Sequence, residues 1–306
     1  MSFGAIEWRD DFCIGVPIVD KAHKALFSIV HKILTLTHDD DDAKRQRGCE
    51  EGLKYFKNYV VEHFSQEEEY MRSVKYPYYI AHKRRHDLMK SETLPALEKE
   101  LIKNEYSPEA IEHFADMCVG WLTSHIIIED QAIKSNRKVS WDFEKNKNVN
   151  GVHLLFDDAM RGMFKTRVQL LDSEYSGGGL ENPICMQLVF ANTKGRRVKA
   201  VFGFEESTVA EIIGRALSIK EVEIGRSTMI FMKELCISFV QRVAPLAKLM
   251  DGTYQLEIEE VCNADDIRKE LTEEYYQYRM LMSCDFGKFA FGFTRLIMEP
   301  NEKENQ

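Results

Sequence analysis

Two domains are predicted: an all-α antiparallel four-helix bundle over residues 1–135, and an α+β domain over residues 151–306. Three observations carry this. A chain of 306 residues exceeds what one core usually organises. Up to Ser135, apolar residues recur at spacings of three and four in four long stretches with short connections, the pattern of a bundle. Beyond residue 150, helical stretches and hairpin patterns follow one another without a βαβ rhythm.

The first helix spans VDKAHKALFSIVHKILTLT, residues 19–37, with Ala22, Leu26, Ile29, Val30, Ile33 and Leu34 on one stripe. HDDDDAKRQRG reads as a polar loop, and the acidic run Asp39 to Asp42 reads as a solvated turn rather than a cation site. A second helix runs from Cys49 to Val74, where Tyr76-Pro77 ends it. The third covers Tyr79 to Ile102 with a bend expected before Pro95. Ser107 caps the fourth, Pro108 opens it, and it continues to Ser135.

SNRKVSWDFEKNKNVN is polar and aperiodic, so residues 136–150 read as a linker. A helix is expected over HLLFDDAMRGMFKTRV, a flexible loop over SEYSGGGLENP, and two strands around Lys194-Gly195. Helices at 207–219 and 226–249 follow, then the strand YQLEIEEV and a last hairpin turning at Asp285-Phe286-Gly287.

Composition narrows the function classes. The net charge of −9 provides no positive field for nucleic acid or an anionic membrane. No apolar run approaches the roughly 20 residues that span a bilayer, and the first residues lack a signal-peptide pattern, so a cytoplasmic location is expected. Seven scattered cysteines without a C-x-x-C pair read as reduced thiols that mostly serve packing.

Eight of the nine histidines fall within the first 125 residues. In YVVEHFSQEEEYM, Glu67 lies four residues past His63, on a face shared with Tyr59, Val60 and Phe64; Glu68 and Glu69 are expected to point to solvent. His23 sits beside Ala22 and Leu26, His82 and His86 are four apart, and WLTSHIIIED places His125 and Asp130 around three isoleucines. His31, His38, His113 and His153 lie off this pattern. Buried imidazoles and carboxylates without partners each cost a few kcal/mol. Five imidazoles and two carboxylates exceed what one ion needs and match a two-metal site with carboxylate bridges. The imidazoles divide as three and two, with His82 and His86 joined by His125 or another partner, and His23 with His63. That division leaves one open position. His125 and Asp130, five apart, stand about 140° apart on an ideal helix, so a widened turn or a long reach is required.

These residues resemble the hemerythrin family in its bacterial form. Trp8, Ile14-Gly15, Asp20, His23 and Leu26 match its opening segment, followed in order by His63-x-x-x-Glu67, Tyr76-Pro77, His82-x-x-x-His86 and His125-x-x-x-x-Asp130. The resemblance implies a non-haem centre of two iron ions with a bridging oxo or hydroxo group and dioxygen as ligand. His82, His86 and His125 would hold one iron, His23 and His63 the other, and Glu67 and Asp130 would bridge.

The order of elements after residue 150 resembles the CheX-like chemotaxis phosphatases. In that family a helix presents Glu-x-x-Asn; here FMKELCISFVQR offers Glu234 but carries Ile237 at the amide position. Glu234 alone is a weak catalytic candidate, so an output or dimerising module without phosphatase activity is expected, with a response regulator or another chemotaxis protein as the partner class. The expected function is oxygen or redox sensing. The alternatives are an oxygen store or carrier, and a di-iron oxidase or peroxidase.

Overall fold

A computed structural model describes residues 8–135, 151–246, 249–250, 254–272 and 276–296; the expected linker at 136–150 lies outside them. The chain separates into two compact units, Met1–Lys138 with Gly225–Glu234, and Val139–Ile224 with Leu235–Gln306. Among the described residues no helix is long and apolar enough to cross a membrane.

In the first domain, α1 (Pro17–Thr35) has Pro17 in its first turn and buries Val19, Ala22, His23, Leu26, Phe27, Val30 and Ile33 on one stripe. The Asp20 carboxylate accepts from the Ile14 and Gly15 amides at 2.7 and 3.1 Å, fixing the turn that leads into the helix. α2 (Asp42–Ser73) begins seven residues before the expected Cys49, with the Asp41 side chain accepting from the Lys44 amide at 3.0 Å. The polar residues of its first turns show no apolar period, so their sequence reads as loop. Arg45 holds them instead, with its guanidinium bonded to the Tyr106 and Asp39 carbonyls. The acidic run is consumed in this helix start: Asp39 pairs with Lys44 and Asp42 with Arg45.

The expected third helix is α3 (Tyr79–Leu88), a π turn at Met89–Thr93, and α4 (Leu94–Lys103). Pro95 lacks an amide hydrogen and its ring crowds the preceding turn, and the widened turn just before it accommodates both. α5 (Pro108–Ser124) is capped by Ser107, as expected. A second π turn, His125–Asp130, joins it to α6 (Gln131–Ser135).

The second domain begins with α7 (Val152–Phe164), which stops four residues before the sequence reading because Lys165 turns left-handed. Its strands are β1 (Gln169–Asp172), β2 (Pro183–Asn192), β3 (Arg197–Glu205), β4 (Tyr254–Cys262), β5 (Tyr278–Cys284) and β6 (Gly287–Leu296), and its other helices are α8 (Glu206–Leu217), α10 (Ala264–Thr272) and the part of α9 (Arg226–Leu246) from Leu235 onward. The strands form one antiparallel sheet in the order β1-β5-β6-β3-β2-β4. Against one face, Phe156 of α7 and Phe239 of α9 pack with Phe202 and Phe291. Under the other, Ile267 and Leu271 of α10 join Tyr175, Cys185, Val201, Tyr276 and Ala290.

Two elements were not foreseen. β1 has two apolar residues and sits on the sheet edge, too short for a period-two signal. α10 shows a single apolar pair, Ile267 and Leu271, on an otherwise polar helix; its readable signal is Asn263, whose side chain accepts from the Asp266 amide.

Candidate metal centre

Four elements of the first domain converge on one buried point. α1 supplies His23, α2 supplies His63 and Glu67 one turn apart, α3 supplies His82 and His86, and the second π turn supplies His125 and Asp130. None of the seven is more than 3% exposed. The widened turn resolves the awkward five-residue spacing, because a π turn bonds i to i+5 and brings Asp130 back beside His125. Their side chains approach to 3.2 Å.

The imidazoles form two groups. His125 Nε2 lies 3.0 Å from Nε2 of both His82 and His86, while His23 Nε2 lies 3.1 Å from His63 Nε2. Glu67 Oε2 sits 3.3, 3.6 and 3.9 Å from Nε2 of His86, His63 and His82, between the two groups. Asp130 spans them as well: Oδ1 is 3.3 Å from His82, and Oδ2 is 3.2 Å from His23.

These contacts do not satisfy the groups involved. Both oxygens of Glu67 and both of Asp130 lack a partner in hydrogen-bond geometry, as do Nδ1 of His23, His63 and His82. The carboxylates thus lie near imidazole nitrogens but off the bonding direction. Leaving buried polar atoms in this state is costly, and converging nitrogen and oxygen lone pairs suit a cation placed among them. Atoms of Glu67, His82, His86 and His125 form one cluster of ligating spacing, and those of His23, His63 and Glu67 form another.

Protonation equilibria reflect the same crowding. Burial, and then the neighbouring Asp130 carboxylate, pushes Glu67 well above the usual range. Burial lowers His125 to about 3 and holds His63 and His86 well below an ordinary imidazole, with adjacent imidazoles adding to the effect. Burial opposes ionisation of Asp130, yet His125, His23 and His82 outweigh it and hold that carboxyl well below its usual value. His63, His86 and His125 are thereby held as neutral imidazoles, the form that donates to a metal.

Residues 14–135 match the hemerythrin HHE cation binding domain. The first domain is a hemerythrin HHE domain. Relatives include the bacteriohemerythrin of Clostridium acetobutylicum, 29% identical over 40% of this chain and 95% of that protein. That of Stenotrophomonas maltophilia is 25% identical over 41% of this chain and 76% of its own length. Among solved structures, a CheC-like superfamily protein from Shewanella is similar at a TM-score of 0.38 and 10% identity, over 49% of this chain and 97% of that one. A chemotaxis protein CheX from Vibrio vulnificus is similar at 0.37 and 9%, over 48% and 98%.

Around the clustered imidazoles and carboxylates the hemerythrin domain builds a shell that the sequence reading missed in part. Glu68, expected at the surface, is 9% exposed, and its carboxylate lies 3.2 Å from His86 Nδ1. A single helix gives no reason to bury it; α3, packed alongside α2, covers that face. Glu69 is exposed, as expected, whereas Tyr59, assigned to the buried face, is 39% exposed. Phe64 stacks on His86 with ring centres 3.8 Å apart, and Trp121 stacks on His125 at 4.4 Å. These flat contacts fix the ring planes of two of the clustered imidazoles. The isoleucines 126–128 are buried.

The remaining histidines of the hemerythrin domain stay outside the cluster. His31 is exposed, His38 closes a 3₁₀ turn after α1, and His113 bonds Glu100 at 2.8 Å. In the second domain, His153 lies in the first turn of α7. Glu234 and Ile237 lie one turn apart on α9, 8% and 1% exposed.

Proposed function

We propose that this chain binds dioxygen reversibly at a di-iron centre in its hemerythrin domain and serves as an oxygen or redox sensor in a signalling or chemotaxis pathway. A hemerythrin HHE domain supports a non-haem iron, oxygen-binding role at the coarser level. The observation that carries the finer reading is the division of five buried imidazoles into groups of three and two, with Glu67 and Asp130 between them and their oxygens otherwise unpartnered. In this reading His82, His86 and His125 would hold one iron, His23 and His63 would hold the other, and Glu67 and Asp130 would be shared between them. Iron, when bound, supplies reversible electron exchange with dioxygen. The two-histidine group offers one imidazole fewer than the other, so dioxygen would be taken up on that side. Buried isoleucines and the stacked Phe64 and Trp121 limit access of water.

The domain limits 1–135 and 151–306, with a linker at 136–150 and a cytoplasmic location, belong to the same proposal. The second domain is taken as an output module, which a response regulator or a second copy would engage. Its helix α9 carries Ile237, which has no hydrogen-bonding group to hold an attacking water beside Glu234.

Anaerobic loading with ferrous iron should reach two irons per chain, and air should generate visible absorption that disappears when oxygen is removed. One metal per chain, a preference for zinc in iron-replete cells, or an irreversible spectral change defeats the assignment. Identical scattering profiles with and without oxygen would leave oxygen storage as the function.

A further inference from the structure

In the second domain, Cys185 on β2 and Cys262 on β4 stand directly opposite each other in the antiparallel register. Opposed Cα atoms lie about 4.5 or 5.5 Å apart, depending on whether the two residues exchange hydrogen bonds. Either separation falls within the roughly 4.4–6.8 Å that a disulfide spans. Direct opposition also places both side chains on one face of the sheet. Both pack into the cluster formed with Ile267 and Leu271 of α10, Cys185 within it and Cys262 half-buried at its margin. Each sulfur makes only a weak contact within its own strand, 3.7 Å to the Pro183 carbonyl and 3.8 Å to the Glu260 carbonyl. Among the described strands no other cysteine faces a cysteine.

β4 is an edge strand of the sheet, and Cys262 is its last residue before α10. An edge strand is held by hydrogen bonds on one side only, so it can make the small adjustment that disulfide geometry demands. We propose that hydroperoxide converts Cys185 and Cys262 into a cross-strand disulfide that staples β4 to the sheet, giving the second domain an oxidant response separate from the metal centre. The more exposed Cys262 thiol reacts first: one peroxide oxygen transfers to sulfur, giving a sulfenic acid and water. The Cys185 sulfur then attacks the sulfenic sulfur, forming the S–S bond and releasing a second water. Two thiols are oxidised by two electrons, and one peroxide is reduced to two waters.

The surroundings set the tempo. Burial raises the Cys185 thiol to about 11, and it also raises Cys262, where Glu260, Asp266 and Glu270 add to the effect and Lys199 opposes it. Little thiolate exists at neutral pH, so the pair stays reduced without a strong oxidant. A high-pKa thiol is also a poor leaving group, so the disulfide, once formed, resists exchange with external thiols.

The test uses the full chain as purified with its metal. Hydrogen peroxide is added, then removed with catalase, and the protein is digested without reductant for peptide mass mapping. A linked Cys185–Cys262 peptide pair, two hydrogens lighter than its reduced components, is expected in most molecules and should be absent from Cys262→Ser. In Cys185→Ser, dimedone should trap the sulfenic acid at Cys262. Amides of β4 should exchange at least tenfold more slowly in the oxidised protein. If Cys185→Ser does not fold, wild type and the Cys262→Ser variant decide the matter alone. Oxidation of wild-type Cys262 to sulfenic or sulfinic acid without cross-linking, or preferential linkage of other cysteines, overturns the proposal. Metal content is read in parallel and should be unchanged in Cys262→Ser, which separates failure of this pair from failure of the iron reading.

Discussion

Replacing Glu68 gives the sharpest test of how the metal centre is supported. Its carboxylate lies 3.2 Å from His86 Nδ1, while His86 Nε2 faces Glu67 and His125. An imidazole that donates to a metal through Nε2 carries its hydrogen on Nδ1, so Glu68 accepts that hydrogen, holds the tautomer and raises the basicity of the donor. Losing such a partner typically lowers metal affinity by about 10- to 100-fold, or about 1.4–2.8 kcal/mol. Glu68→Gln keeps an acceptor without the charge and should fall near the lower figure. Glu68→Ala leaves a buried N–H without an acceptor, an additional penalty of about 1–3 kcal/mol in the metal-free fold, and should approach the higher one. Lys83, 3.8 Å from Glu68, keeps its closer pair with Asp87 at 2.7 Å in either variant, so it is not stranded. Ferrous affinity would be measured anaerobically by competition with a chromophoric chelator, with far-ultraviolet circular dichroism as the check on folding. Glu69→Gln is the exposed control and should stay within about twofold of wild type. Equal affinities for the Glu68→Gln and Glu69→Gln proteins would refute the reasoning, as would a Glu68→Ala protein that loses stability but no affinity.

Two further outcomes are expected. Between about pH 6.5 and 4.5 the unfolded chain protonates His63, His86 and His125 while the metal-free fold leaves them neutral, and the fold holds one proton on Glu67 that the unfolded chain lacks. The unfolded state thus binds about two more protons, so the metal-free domain should lose about 2.7 kcal/mol per unit as pH falls through that window; a urea midpoint that does not move between pH 6.5 and 5 contradicts this. Asp41→Ala removes the α2 cap and should cost about 1 kcal/mol in denaturant titration without changing iron stoichiometry, since the cap lies at the opposite end of α2 from His63 and Glu67.

The helices of the first domain and the histidine and carboxylate positions that cluster there were legible in the sequence because both depend on spacing along one chain. Apolar residues at three and four mark a helix face, and His63-x-x-x-Glu67 and His82-x-x-x-His86 each declare one face of one helix. Proline and serine punctuation placed the C-terminal end of α2 and the start of α5. The hairpins around Gly195 and Gly287 were readable too, since both glycines adopt positive φ at a turn. Other features depended on packing. Whether Glu68 faces water or His86 is decided by a second helix laid against the first, and no periodicity within α2 records it. The five-residue step from His125 to Asp130 became usable only because the backbone widened into a π turn, a change that intrahelical propensities disfavour and tertiary contacts must sustain. β1 and α10 draw their stability from the sheet they join, so their own sequences carry little of the signal. The opposition of Cys185 and Cys262 has the same origin: strand register across 77 residues of chain is set by the neighbours of β2 and β4, not by the cysteines themselves.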